Sequence, residues 1–98
     1  MLGMSQNETE EIKRERLRKQ LDETHVWPCD FTFKFIVSSD AEGEATLKEI
    51  FSDTARFRTR ASRNGRFHAF TITERVNSAE QVFDRYESAS KIRGIISM

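Results

Sequence analysis

The sequence predicts an α+β domain of the ferredoxin-like class, a βαββαβ sandwich whose four-stranded antiparallel sheet carries two helices on one face. Three observations lead to this class: a strictly alternating strand at Phe31–Val37, a hairpin centred on Asn64-Gly65, and two capping boxes that each open a helix. For this topology we expect the spatial strand order 4-1-3-2. That order places the two most apolar strands, Phe31–Val37 and Arg66–Val76, at the centre of the sheet.

Composition bounds the class of protein. The 98 residues make one domain, and a formal net charge of zero argues against a general attraction to nucleic acid or membranes. Cys29 is the only cysteine, so no intrachain disulfide can form, which fits a reducing compartment. No apolar run approaches a signal sequence or a membrane span. We therefore expect a cytoplasmic protein with no membrane attachment.

Residues 1–27 are predicted to form a charged extension, and residues 28–98 the ferredoxin-like domain. Residues 1–7 are expected to be disordered, whereas Glu8–Glu23 is rich in strong helix formers. Leu17 and Leu21 share one face of this helix, but no heptad repeat continues the stripe. A solvated helix with a short docking stripe is therefore favoured over a coiled-coil or partner-binding helix.

The elements of the domain follow Pro28 in order. The first strand alternates, with Phe31, Phe33, Phe35 and Val37 on one face and Thr32, Lys34 and Ile36 on the other. The capping box Ser39-Asp40-Ala41-Glu42 predicts a helix to about Asp53, and Ser78-Ala79-Glu80-Gln81 predicts a second helix to about Ser90. Lys91–Met98 is predicted to be the last strand, with Gly94 as the candidate position for a bulge.

The hairpin determines which side chains share a face. Asn64-Gly65 predicts a two-residue type I′ turn, which pairs Thr59 with Phe70 and makes Arg63 face Arg66. The core face then carries Phe57, Thr59, Ala61, His68, Phe70 and Ile72. The opposite, open face of the sheet carries Arg56, Arg58, Arg60, Thr71, Thr73, Thr32 and Lys34.

Three segments resemble the YbeD-like proteins, small bacterial cytoplasmic proteins of unknown function: PCDFTFKFIV, SRNGRFHAFTIT and SAEQVFDRYESASKI. The resemblance covers Trp27–Met98. It implies a fold similar to the ACT regulatory domains, which bind amino acids in metabolic enzymes, and it brings no catalytic residues with it. Amino-acid-binding ACT domains usually have a glycine in the turn after the first strand. This chain has Ser38-Ser39-Asp40 there, which argues against amino-acid binding at that turn.

No group of residues predicts catalysis, a metal or a cofactor. His25 and Cys29 lie four apart, but a zinc site needs three or four ligands and no further Cys or His stands at ligand spacing. His68 falls on the core face, where a satisfied, partly buried histidine is favoured over a catalytic base. The phosphate loop of acylphosphatase, the Cys-x-x-Cys of metal chaperones and any Gly-rich phosphate cradle are absent from the sequence. We therefore predict that the protein is not an enzyme.

The candidate binding residues are basic. Arg56, Arg58 and Arg60 alternate along a predicted edge strand, and no acidic residue lies between Arg56 and Arg66. Such a row either prevents strand-to-strand aggregation or docks an acidic partner. The predicted binding residues are Arg56, Arg58, Arg60, Arg63, Arg66 and Lys34.

Two functions follow from this surface. The favoured one is a non-enzymatic regulatory or protein-interaction module that binds a protein partner or acidic ligand. The alternative is a nucleic-acid-binding accessory domain that contacts the phosphate backbone through the arginine row. Base stacking of the kind seen in RRM domains is disfavoured, because it would turn His68 and Phe70 to solvent and the arginines toward the helices. A homodimer is compatible with either function.

Overall fold

A computed structural model describes residues 9–39 and 42–97 of the chain. Its elements are α1 (Glu10–Thr24), β1 (Cys29–Ser38), α2 (Gly43–Ile50), β2 (Arg56–Ala61), β3 (Phe67–Val76), α3 (Ala79–Ala89) and β4 (Ile96–Ser97). The four strands form one antiparallel sheet in the order β2-β3-β1-β4. This is the predicted 4-1-3-2 order, so the α+β, ferredoxin-like fold class is confirmed. The segment 1–7, for which disorder was predicted, lies outside the described residues.

The core forms between the two central strands and the helices α2 and α3. Alternation along β1 and β3 turns every second side chain toward the helices, which contribute Leu47, Val82 and Ala89. The central strands supply most of the fully buried volume, from Phe33, Phe35, Val37, Phe70, Ile72 and Val76. No helix of the described part of the chain covers the other face of the sheet.

The predicted register of the hairpin is confirmed. Phe57 pairs with Ile72, Thr59 with Phe70, and Ala61 with His68. The buried apolar residues of β3 therefore face the helices, and the arginines of β2 face the opposite side.

The turn of the hairpin differs from the predicted type I′ turn. Among the described residues only glycines have positive φ, so Gly65 (φ 74°) is left-handed and Asn64 is not. The Gly65 amide donates to the Ser62 carbonyl at 2.9 Å, and Asn64 Oδ1 accepts from the Arg66 amide at 3.0 Å. These bonds stabilise a wider loop that contains both Arg63 and Arg66, which do not pair across the strands. Widening the loop by one residue on each side leaves the register unchanged.

The first capping box does not open α2. The helix begins at Gly43, with Glu42 at the N-cap and no side-chain cap bond. Ser39 instead donates its hydroxyl to the Gly65 carbonyl at 2.6 Å and its amide to the Arg66 carbonyl at 2.8 Å. The prediction that Ser39 caps α2 was wrong because Ser39 bonds to distant residues of the hairpin. Asp40 and Ala41 of the predicted box lie outside the described residues.

Gly43 is buried against β1. A Cβ atom at this position would overlap Val37 Cγ1, so only glycine allows the helix to start this close to the strand. The helix also ends earlier than predicted, at Ile50, and Phe51 caps it from within the core.

The second capping box is confirmed. The Ser78 hydroxyl accepts from the Gln81 amide at 3.3 Å, and Gln81 Oε1 accepts from the Asn77 amide at 2.9 Å. Both bonds satisfy amides at the start of α3, which ends at Ala89, close to the predicted end.

The last strand is shorter than predicted. Among its described residues, Ile96–Ser97 pairs with β1, with Ile96 opposite Ile36 and Ser97 opposite Phe35, and Met98 lies outside the described residues. The preceding residues form turns closed by amide-to-carbonyl bonds such as Ile95 to Ile92 at 3.2 Å. Gly94 takes a left-handed φ of 73° in this turn, so it ends the turn and does not mark a bulge.

Candidate functional site

The open face of the sheet assembles the predicted basic residues into cross-strand rows. The pairing of β2 with β3 and of β3 with β1 aligns residues from three strands at each level of the sheet. The rows are Arg56–Thr73–Thr32, Arg58–Thr71–Lys34 and Arg60–Ala69–Ile36. Because paired residues share a face, Lys34 stands on the same surface as the arginines. The structure thus brings Lys34, Arg56, Arg58 and Arg60 together, as the sequence predicted.

The charge on this face is uneven. Arg56 lies 3.9 Å from Asp30, and the same carboxylate lies 3.6 Å from Arg75. Lys34, Arg58 and Arg60 are exposed, and no carboxylate among residues 9–39 and 42–97 lies within ion-pair distance of them. The positive potential is therefore concentrated at the second and third rows, where no described carboxylate of the protein competes with an incoming acidic group for the basic side chains.

The two remaining predicted residues lie apart from the rows. Arg63 and Arg66 are exposed in the hairpin loop, beside the bonds that join Ser39 to that loop. They extend the basic surface around the tip of the sheet.

An apolar patch that sequence reasoning missed adjoins the third row. Phe67 is 45% exposed and Ile96 is 54% exposed, and both lie on the open face with Ile36 and Ala69. A shallow groove beside the patch is also lined by Arg60 and Arg63. The signal was present in the sequence, because Phe67 has the same strand parity as Ala69 and Thr71. A basic surface with an apolar end can bind a partner that is both acidic and apolar.

A buried ion pair holds the opposite face together. Glu74 lies on β3 with the core residues, and its carboxylate accepts from Arg85 Nε at 2.7 Å and Arg85 Nη2 at 2.9 Å. The Ser52 amide donates to the same carboxylate at 2.9 Å. Burial by itself would raise the pKa of Glu74, but the bonds from Arg85 and Ser52 outweigh it and hold the pKa below its ordinary value. The pair joins β3 to both helices, and its role is structural.

The histidines and the cysteine occupy separate places. His25 stacks on Trp27 with ring centroids 5.3 Å apart, and its Nδ1 lies 3.1 Å from the Leu21 carbonyl. Cys29 is a half-buried free thiol at the start of β1. His68 is half-buried and meets Phe70 edge to face at 6.4 Å. Within the described ranges, no three His, Cys, Asp or Glu side chains are grouped so that they could hold a metal ion.

A second concave surface lies between α1 and α3. Leu17 and Leu21, the residues of the predicted docking stripe, line it together with Phe31, Val82, Phe83 and Tyr86. Burial raises the pKa of Tyr86. Arg14 holds α1 against α3 beside this groove, because its guanidinium lies 3.5 Å from Glu80 and 4.9 Å from the centroid of the Phe83 ring. The groove therefore reflects how α1 docks on the domain.

Comparison with known proteins places this geometry in context. A family model described as "Protein of unknown function (DUF493)" matches residues 22–98. The "UPF0250 protein" of Paraburkholderia phytofirmans (strain DSM 17436 / LMG 22146 / PsJN) is 32% identical over 68 residues, which cover 63% of this chain and 76% of that protein. No solved structure matches the chain. Within the described residues, none of the helices has the length and apolar character needed to cross a membrane.

Proposed function

Since the chain belongs to the DUF493 family, whose description names no activity, we propose a function from the surface itself: a non-enzymatic protein-interaction module that binds an acidic partner through the open face. The family membership confirms the resemblance to the YbeD-like proteins. In the regulatory form of this proposal the same surface binds an acidic protein partner or ligand in the cytoplasm.

The observation that carries the proposal is the uncompensated charge of the second and third rows. Arg58 and Arg60 on β2 and Lys34 on β1 project from the same face of the sheet, and no described carboxylate pairs with them. A guard against aggregation requires charge only along the edge strand β2. Lys34 lies two strands away on β1, so the basic surface extends beyond the edge.

A charge reversal tests the proposal. We expect Arg58→Glu with Arg60→Glu to weaken binding of a synthetic polyglutamate peptide by at least about 10-fold, because each reversed contact is worth on the order of 1 kcal/mol. The salt dependence of the remaining binding should also become flatter. Unfolding free energy should change by less than about 1 kcal/mol, since exposed charges contribute little to stability. Fluorescence anisotropy across a salt series and urea unfolding measure the two quantities.

The matched control is Lys19→Glu with Arg93→Glu. These exposed residues lie on α1 and in the turn before β4, and the double change alters net charge by the same amount. We expect peptide affinity to stay within about 2-fold of the unmodified protein. Equal losses in both double variants would show that only net charge matters. Retained affinity in the open-face variant would show that the arginines serve only to prevent aggregation.

Nucleic-acid binding is the second candidate, and Phe67 is the observation that favours it. Stacking on Phe70 is not available, because its side chain is 2% exposed. Phe67, however, is an exposed aromatic ring in a groove with Arg60 and Arg63, where a base could stack. We favour the acidic protein partner because Phe67 is the single exposed ring among the described residues of this face, and the chain carries no net positive charge.

A single-stranded oligonucleotide matched in charge to the peptide separates the two candidates. If the oligonucleotide binds more tightly than the peptide, and Phe67→Ala weakens it by about 5-fold or more, nucleic-acid binding is the better assignment.

A further inference from the structure

We infer that the acidic partner binds as an extended segment that adds to β2 as a fifth, antiparallel strand, with acidic side chains at alternate positions opposite Arg56, Arg58 and Arg60. This inference rests on the proposed function, because it specifies how the open face holds its partner. It identifies the partner by its chemistry: alternating acidic and uncharged residues in an extended conformation.

The first support is the free edge of the sheet. β2 is the terminal strand in the order β2-β3-β1-β4, and within residues 9–39 and 42–97 it pairs with β3 alone. Its six residues offer an edge long enough for a short added strand. An exposed strand edge is a template for pairing with another chain.

The second support is the phase of the backbone ladder. The Ser62 amide donates to the Phe67 carbonyl at 2.8 Å, so this pair belongs to the hydrogen-bonded set. Hydrogen-bonded and non-hydrogen-bonded pairs alternate along an antiparallel ladder. The pairs formed by Phe57, Thr59 and Ala61 with β3 therefore belong to the non-hydrogen-bonded set. The N–H and C=O groups of these three residues point away from β3 and toward the free edge.

The same phase sets where the arginines stand relative to an added strand. A segment that bonds to the outward groups of Phe57, Thr59 and Ala61 meets Arg56, Arg58 and Arg60 at non-hydrogen-bonded positions. At those positions opposing side chains approach most closely, with Cα atoms about 4.5 Å apart. Acidic residues there would lie directly across from the arginines. The intervening residues would lie on the other face, beside the half-buried Phe57.

A second copy of this chain does not fit the edge. Two β2 strands paired antiparallel about a two-fold axis would place arginines on the same face at the shared edge. Like charges on opposing strands destabilise a sheet. A different, acidic chain is the complementary occupant.

The test uses two synthetic peptides of about nine residues with the same composition. One alternates glutamate with valine and threonine, and the other carries the glutamates as a block at one end. We expect the alternating peptide to bind at least about 10-fold more tightly by fluorescence anisotropy, because only it opposes each arginine with a carboxylate. Amide exchange measured by NMR should slow at Phe57, Thr59 and Ala61 when it binds.

Thr59→Pro removes the backbone N–H of Thr59, which points toward the free edge, and leaves the amides bonded to β3 in place. Thr59→Ala is its control. We expect Thr59→Pro to weaken the affinity for the alternating peptide by at least about 5-fold and Thr59→Ala to leave that affinity unchanged. Far-UV circular dichroism and thermal unfolding establish that both variants fold. If Thr59→Pro does not fold, N-methylation of alternate peptide amides provides the same test from the partner's side.

The outcomes separate the mode of binding from the proposed function. Strand addition would be overturned by three results together: both peptides bind equally, both lose affinity for the Arg58→Glu, Arg60→Glu variant, and amide exchange at Thr59 stays unchanged. The proposal of an acidic partner would then still stand. Failure of both peptides to bind would overturn the proposed function itself. Protection of Thr59 that appears without peptide and rises with protein concentration would assign the edge to a second copy.

Discussion

Replacing Arg85 with methionine is expected to leave a buried carboxylate without its partner. The Glu74 side chain is 1% exposed, and Arg85 binds it through two hydrogen bonds of 2.7 and 2.9 Å. Removing one member of a buried pair costs about 3–5 kcal/mol, because the remaining charge cannot be hydrated. A domain of this size has a total stability of only about 5–15 kcal/mol. We therefore expect Arg85→Met to remove a large part of the unfolding free energy.

The reciprocal change should cost less. In Glu74→Gln, Arg85 keeps contact with water through a side chain that is 22% exposed, and the amide oxygen can still accept from the Ser52 amide. We expect a loss of about 1–3 kcal/mol. The double variant should lose less than the sum of the two single losses, since it leaves no buried charge.

The pH dependence follows from the direction of the pKa shift. The pKa of Glu74 is lowered in the folded protein from its ordinary value of 4.5, so the stabilising contribution of its ionised carboxylate is present above that pH. The contribution is lost as the pH falls from 4.5 through the lower folded pKa. In Arg85→Met only burial and the Ser52 bond remain, so we expect a raised pKa. With a raised pKa, the ionised carboxylate destabilises the folded variant. Its loss of unfolding free energy should therefore be largest near neutral pH and shrink in acid.

Urea unfolding followed by the fluorescence of Trp27, the one tryptophan, measures these differences. Unfolding free energies are compared at about pH 7 and about pH 4 for the unmodified protein and the three variants. An Arg85→Met protein that stays within about 1 kcal/mol of the unmodified one at both values would refute the reasoning, because the carboxylate would then be solvated.

Two further changes test the core and the extension. Ile72→Ala, at a fully buried core position, should cost about 2–4 kcal/mol in urea unfolding, whereas Thr71→Ala on the open face should cost far less. Deletion of residues 1–22 should leave a folded domain that is about 1–3 kcal/mol less stable, because α1 contains no fully buried residue and contributes mainly Leu21 and the Arg14 contacts. A truncated protein without a cooperative thermal transition would show that α1 is part of the core.

The register of the β2–β3 hairpin and the composition of the two faces of the sheet were determined by the sequence alone. Side chains alternate with a period of two, so one turn position, Asn64-Gly65, assigns every residue of β2 and β3 to a face. The same alternation in β1 places Lys34 on the face that carries the arginines. These features depend on near neighbours and on one hydrophobic pattern, which is why they could be read locally.

Only the tertiary structure decided the features that depend on distant partners. The local sequence allows Ser39 to cap a helix, but in the folded chain its hydroxyl donates a hydrogen bond to the Gly65 carbonyl, 26 residues away. Glu74 has no partner near it in the sequence, and only the fold brings Arg85 and the Ser52 amide to its carboxylate. Glycine is a poor helix former, yet α2 begins at Gly43 because Val37 packs where a larger side chain would lie. For Ser39 and Gly43, a short-range preference worth about 1 kcal/mol yields to a hydrogen bond or a steric contact that exists only in the folded chain.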